Sequence, residues 1–150
     1  MALDPAFVGH TYPTSEVYEV GRAKIREFAE SIGDDHPMYR DTAAARAAGH
    51  PDVIAPPTFP IILFSHYSMA DIINDPELGV DYGRLVHGDM GFQYARPLCA
   101  GDRVTVTTRI AAIDVRMGNS FLGLDALIDT EDGTRVVTAT AQLVIRAEDA

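Results

Sequence analysis

One cysteine, Cys99, occurs in 150 residues, so no disulfide can form within the chain. Basic residues are scarce: 12 Lys and Arg stand against 22 Asp and Glu, for a net charge of −10. Nucleic-acid binders draw their affinity from Lys and Arg, so no nucleic-acid partner is expected. No run approaches the ~18 apolar residues that span a membrane, so no membrane association is expected either. The first residues, "MALDPAFVGH", hold neither a basic cluster nor an apolar stretch and do not read as a secretory signal. Together these absences make a cytoplasmic protein the expectation. There is no G-x-G-x-x-G or P-loop, and hence no indicated nucleotide cofactor. Ser65 and Ser68 lack a G-x-S-x-G elbow, which argues against a serine hydrolase. The five histidines are not spaced as metal ligands with carboxylates or with Cys99, so no metal is expected.

What is present fits one ordinary domain. The hydrophobic fraction is 47% and the charged fraction 23%, usual for a globular chain of this length. Residues Glu16–Val20 read as short and extended. "GRAKIREFAES" spaces Ile25, Phe28, Ala29 and Ile32 at helical intervals, and Gly33 stops that helix. "TAAARAAGH" is a second, short helix closed by Gly49. Pro56 and Pro57 force an extended approach to a third, with Thr58 as its expected N-cap. From Phe59 to Ile73 the chain is apolar on most sides, the mark of a buried helix, and Pro60 falls in its tolerant first turn.

Every later segment alternates as strand. Leu85–Tyr94 is one. Val104, Val106, Thr108 and Ile110 belong to the next, then Leu122, Leu124, Ala126 and Ile128, then Val137, Ala139, Ala141, Leu143 and Ile145. "MGNS" and "TEDGT" read as hairpin turns. "AGD" at Ala100–Asp102 reads as a turn, and Cys99 before it as a packing residue. Helices segregated from a meandering sheet make an α+β domain. Its simplest packing is the hot-dog fold, an antiparallel sheet wrapped around the long central helix.

Three blocks carry a resemblance. "SIGDDHPMYRD" is similar to the hydratase-2 (MaoC-like) motif, roughly S-G-D-x-N-P-x-H-x-D, with Gly33, Asp34, Pro37 and Asp41 in place and Gly49 matching further on. "APPTFP" resembles that family's approach to its central helix, and "FQYARPLCAGDRVTV" its later strand pair. More closely, the chain resembles the MaoC-like dehydratase N-terminal group, which includes non-catalytic subunits of mycobacterial (3R)-hydroxyacyl-ACP dehydratases. The resemblance implies a hydration or dehydration of acyl-CoA or acyl-ACP thioesters. In it an Asp and a His hold a water as general base and acid, and backbone N–H groups at the start of the central helix polarise the thioester carbonyl. Here those donors would come from Ala55–Phe59, although Pro56 and Pro57 have no N–H to give.

The departure falls on the acid–base pair. The family histidine aligns with Tyr39 and the family asparagine with His36. A phenol, with a reference pKa near ~10, is a poor base at neutral pH but a competent hydrogen-bond donor. Asp34, His36 and Tyr39 are therefore the candidate catalytic residues. Pro57, Thr58, Phe59, Phe64, Tyr67 and His87 are the candidate substrate-binding residues.

Three functions fit this pattern. The first is a substrate-binding subunit, paired as a homodimer or as a heterodimer with a catalytic MaoC-like chain. The second is a self-sufficient hydratase using Asp34 with His36 or His87. The third is a thioesterase-like or acyl-thioester-sensing protein. An exposed, apolar last strand would supply the pairing edge. Arg84, Arg96 and Arg103 offer a local basic patch for an acidic carrier, with solvated surface arginines as the plainer reading. His87 and Asp89, two apart in a strand, would share a face. His66 reads as a core histidine, and His10 and His50 as loop residues.

Overall fold

A computed structural model describes residues 2–148. Five strands form a single sheet in the order β1-β3-β4-β5-β2. They are β1 (Tyr18–Glu19), β2 (Leu85–Tyr94), β3 (Arg103–Arg116), β4 (Asn119–Thr130) and β5 (Arg135–Ile145), and every neighbouring pair is antiparallel. Period-two alternation sends Val104, Val106, Thr108 and Ile110 of β3 inward, with Leu122, Leu124, Ala126 and Ile128 of β4 and Val137, Ala139, Leu143 and Ile145 of β5. The "MGNS" turn is a two-residue hairpin with Met117 at φ 48° and Gly118 at φ 78°. Those paired positive values match the right-handed twist of the flanking strands.

The sheet's inner face closes on the central helix, giving the expected hot-dog architecture. That helix runs as α3 (Pro60–Leu63), a π turn at Phe64–Ser68, and α4 (Met69–Asn74). Only one stripe of it is fully covered: Pro60, Leu63, Phe64, Ser68 and Ile72. The opposite side, with Ile61, Ile62, Tyr67, Met69 and Ile73, stays half-buried, and His66 is exposed rather than in the core. Among the described residues no helix is long and apolar enough to cross a membrane.

The π turn brings Ser68 against the sheet. Its hydroxyl lies 3.0 Å from that of Thr108, which lies 2.6 Å from an Asp71 carboxylate oxygen. A hydroxyl carries one proton, so Thr108 donates to Asp71 and accepts from Ser68. Burial still pushes the Asp71 carboxyl above its ordinary value.

The two sheet edges differ. Residues 9–15 run along β3, with Gly9, Tyr12 and Ser15 donating to its carbonyls at 2.8 to 2.9 Å. Tyr12 Oη reaches across to Asp75 at 2.7 Å. This segment and β1 cover the β3 edge. The other edge is β2, not the last strand, because β5 lies between β4 and β2.

Helix α1 (Arg22–Ser31) packs Ile25 and Ala29 into the core, while Ile32 lies past its end and is 48% exposed. Arg22 ties α1 to the segment before the central helix: Nε and Nη2 donate to the two Asp52 oxygens at 2.9 and 2.6 Å. The guanidinium holds the Asp52 carboxyl down to about 2. The ordinary value is 3.8, so the pair's contribution is complete above that pH and fades as pH falls toward 2. We expect Asp52→Asn to flatten the stability profile between pH 4 and 2. At neutral pH it should cost less than about 1 kcal/mol, since Arg22 is solvent-screened. Chemical denaturation of both proteins across that range checks it; parallel profiles would refute it.

Candidate functional site

The loop that holds Asp34 is built by the end of α1. Gly33, at φ 70°, donates to Glu30 O at 3.1 Å, and Asp34 N donates to Ala29 O at 2.9 Å. This pair of bonds is a Schellman motif, whose left-handed residue favours glycine. It fixes where Asp34 leaves the helix. The Asp34 carboxylate then accepts from His36 N at 3.2 Å.

A 3₁₀ turn at Pro37–Tyr39 comes next. His36 caps it: Nδ1 accepts from Met38 N at 3.2 Å, and the ring is otherwise exposed. Nδ1 of the imidazole is thus taken by the backbone of its own turn. Tyr39 is buried, 8% exposed, with its ring 5.7 Å from that of His36. Burial raises the Tyr39 phenol above its ordinary value, and the charge and hydrogen bonding of Asp34 raise it further. At neutral pH it is therefore a protonated donor. Asp41 closes the loop by accepting from Ala43 and Ala44 at the start of α2 (Thr42–Ala47), at 2.8 and 3.3 Å.

Three segments are stitched together behind this loop. Ile54 N donates to Met38 O at 3.0 Å, and Ala55 N to Leu98 O at 2.8 Å. Between them lies a cleft of about 140 Å³ lined by Tyr39, Ile54, Ala55, Pro57, Tyr94 and Pro97. Tyr94 went unnoticed in the sequence. The signal was its place at the end of β2, on the inward phase opposite Val137. Its hydroxyl donates to Pro57 O at 2.7 Å, and burial raises its phenol too.

The remaining candidates scatter. Thr58 is exposed and does not cap the helix, whose N-cap position is Phe59, already in helical conformation. Few donors are left at the helix start. Phe59, Ile61 and Ile62 donate to Pro56, Thr58 and Phe59 carbonyls, Pro56, Pro57 and Pro60 have no N–H, and the Thr58 amide has no backbone acceptor among the described residues. Phe59 and Phe64 are fully buried, Phe59 edge-on to Phe28 at 5.6 Å. Tyr67 is half-buried, its ring 4.7 Å from His66.

His87 is exposed, its ring 6.1 Å from that of Phe64. It does not share a face with Asp89. A β-bulge at Gly88 pairs His87 with Leu143 and Asp89 with Gln142, which point to opposite faces. Among the described residues the three arginines do not form a basic patch either. Arg84 pairs with Asp81 and Glu148, Arg96 with Asp102, and Arg103 with Glu19 and Glu131. Asp102 also accepts from Cys99 N at 2.8 Å, which makes "AGD" a turn pinned by its own side chain.

Residues 6–139 match the family described as FAS1-like, dehydratase domain region. The chain is 52% identical over 149 residues to a UPF0336 protein of Streptomyces griseus, covering 99% of both, and 51% identical to one of Thermobifida fusca. Among solved structures it is similar to the HadBC (3R-hydroxyacyl-ACP dehydratase) complex of Mycobacterium tuberculosis. That likeness has a TM-score of 0.81 and 28% identity over 92% of this chain and 96% of that one. A MaoC-like dehydratase gives a TM-score of 0.83 and 29% identity, over 96% of this chain and 43% of that one. A sheet curled on its helix, a Gly-Asp loop beside the helix start and these likenesses agree: the chain belongs to the FAS1-like dehydratase domain region family of MaoC-like hot-dog proteins.

Proposed function

We propose that this chain is the acyl-thioester-binding subunit of a (3R)-hydroxyacyl-thioester hydratase–dehydratase, whose acid–base pair is supplied by another chain. The observation that carries the reading is Tyr39, buried and held protonated at the position where the family motif places histidine. A water beside Asp34 would have a carboxylate next to it but no second proton-transfer group at neutral pH. His36 lies three positions from that place, its ring exposed and fixed at Nδ1 as the cap of the turn. Stabilisation of a developing oxyanion is weakened as well, with the Thr58 amide as the remaining donor at the helix start.

The cleft beside Tyr39 is suited to an apolar acyl group. A partner has a place to attach, since among the described residues the outer edge of β2 is unpaired and the helix leaves one side half-covered. The solved HadBC and ChsH1–ChsH2 structures are complexes, which supports the same arrangement here. A homodimer would bind substrate without turning it over.

The test is hydration of crotonyl-CoA by the purified chain, alone and mixed with a MaoC-like chain that has an intact Asp/His loop. The chain alone should stay at background, and the mixture should exceed the partner's own rate. Turnover by the chain alone, abolished by Asp34→Asn, would overturn the reading.

A further inference from the structure

The cleft beside Tyr39 is short of hydrogen-bond donors. The amides of Tyr39, Ile54 and Ala55 are taken by the carbonyls of His36, Met38 and Leu98, at 3.1, 3.0 and 2.8 Å. Pro57 and Pro97 have no N–H to give. The lining holds no charged side chain, so its polar side-chain atoms are the hydroxyls of Tyr39 and Tyr94.

A hydroxyl has one proton and two lone pairs. The Tyr94 proton goes to Pro57 O at 2.7 Å. The Tyr39 phenol lies beside the Asp34 carboxylate and hydrogen-bonds to it, and a carboxylate can only accept. Both phenol protons are therefore committed, and both oxygens keep lone pairs. A ligand group that accepts, such as a carbonyl, meets other acceptors here. A neutral group that donates finds a partner at once.

We infer that Tyr39 makes this chain select the 3-hydroxyacyl form of its thioester, the ligand hydroxyl donating to the Tyr39 oxygen while the phenol proton stays with Asp34. This rests on the acyl-thioester reading above. The enoyl and saturated forms have no hydroxyl and lose that bond. In a row of hydroxyl, phenol and carboxylate each bond polarises the next, which favours the arrangement. Tyr39 is then a specificity-determining residue and takes no part in proton transfer.

Calorimetric titration of the full-length chain with (3R)-3-hydroxybutanoyl-, butanoyl- and crotonyl-CoA tests the selection. The parent should bind the hydroxy thioester roughly threefold to tenfold more tightly than either of the others, the worth of one neutral hydrogen bond. Tyr39→Phe keeps the ring and removes only the hydroxyl, so it should bind all three within about twofold of one another. Tyr94→Phe should retain the parent's preference. A parent that binds butanoyl-CoA as tightly as the hydroxy thioester would overturn the selection and leave the binding-subunit reading intact. So would a preference that survives in Tyr39→Phe, or one lost in Tyr94→Phe alone. Failure of all three thioesters to bind would overturn both.

Discussion

Tyr39→His, purified and assayed alone, is expected to hydrate crotonyl-CoA at least 100-fold faster than the parent chain. Positioned proton transfer contributes roughly 10²–10⁴-fold to such reactions. The loop is ready to receive the imidazole, because backbone and capping bonds outside the tyrosine side chain set its course. The Schellman motif places Asp34, Pro37 and the His36 cap set the 3₁₀ turn, and Asp41 anchors the first turn of α2. Histidine is smaller than tyrosine, so the exchange forces no overlap and leaves room for a water beside the Asp34 carboxylate.

The new activity should titrate with an imidazole, near its reference value of about 6.5, where the parent has no such inflection. Asp34→Asn added to the same variant should return the rate to background. A folded Tyr39→His that hydrates no faster than the parent would refute the missing imidazole as the limiting feature. The depleted donor set at the helix start would then be the stronger explanation.

Much of this arrangement was legible from residue order because local rules dictated it. Gly33 and Gly49 ended their helices as expected, and both sit at positive φ. Leu85–Tyr94 formed the strand that its residues suggested, and the two hairpins turned where Gly and polar residues clustered. What failed depended on non-local packing. Strand order cannot be read from alternation, and the open edge belongs to β2 rather than to the last strand.

The Gly88 bulge inserts one residue without disturbing composition, and that shift separates His87 from Asp89. Thr58 looked like a cap, but Phe59 is already helical and Pro60 occupies the first turn. Arg84, Arg96 and Arg103 looked like a basic cluster until folding brought a carboxylate to each. Tyr94 was missed because a tyrosine at a strand end is ordinary. Its role depends on Pro57, 37 residues away in sequence.

Phe59→Ala is expected to cost about 3–5 kcal/mol of folding stability, the range for truncating a fully buried phenylalanine. From sequence, Phe59 belonged with the residues of an acyl groove; in the fold it is 0% exposed. Its ring packs edge-on against Phe28 of α1, and its amide donates to Pro56 O at 2.9 Å. It therefore joins α1, the loop-bearing helix, to the start of the central helix. Removing it leaves a void beneath the cleft and loosens the wall that carries Pro57.

The two roles predict different outcomes. A groove residue truncated to alanine would enlarge the acyl site and change ligand preference at a stability cost below about 1 kcal/mol. A core residue truncated there would lower the denaturation midpoint sharply, by roughly 10 °C on heating. Affinity for short and long thioesters would then fall together as the cleft loses its shape.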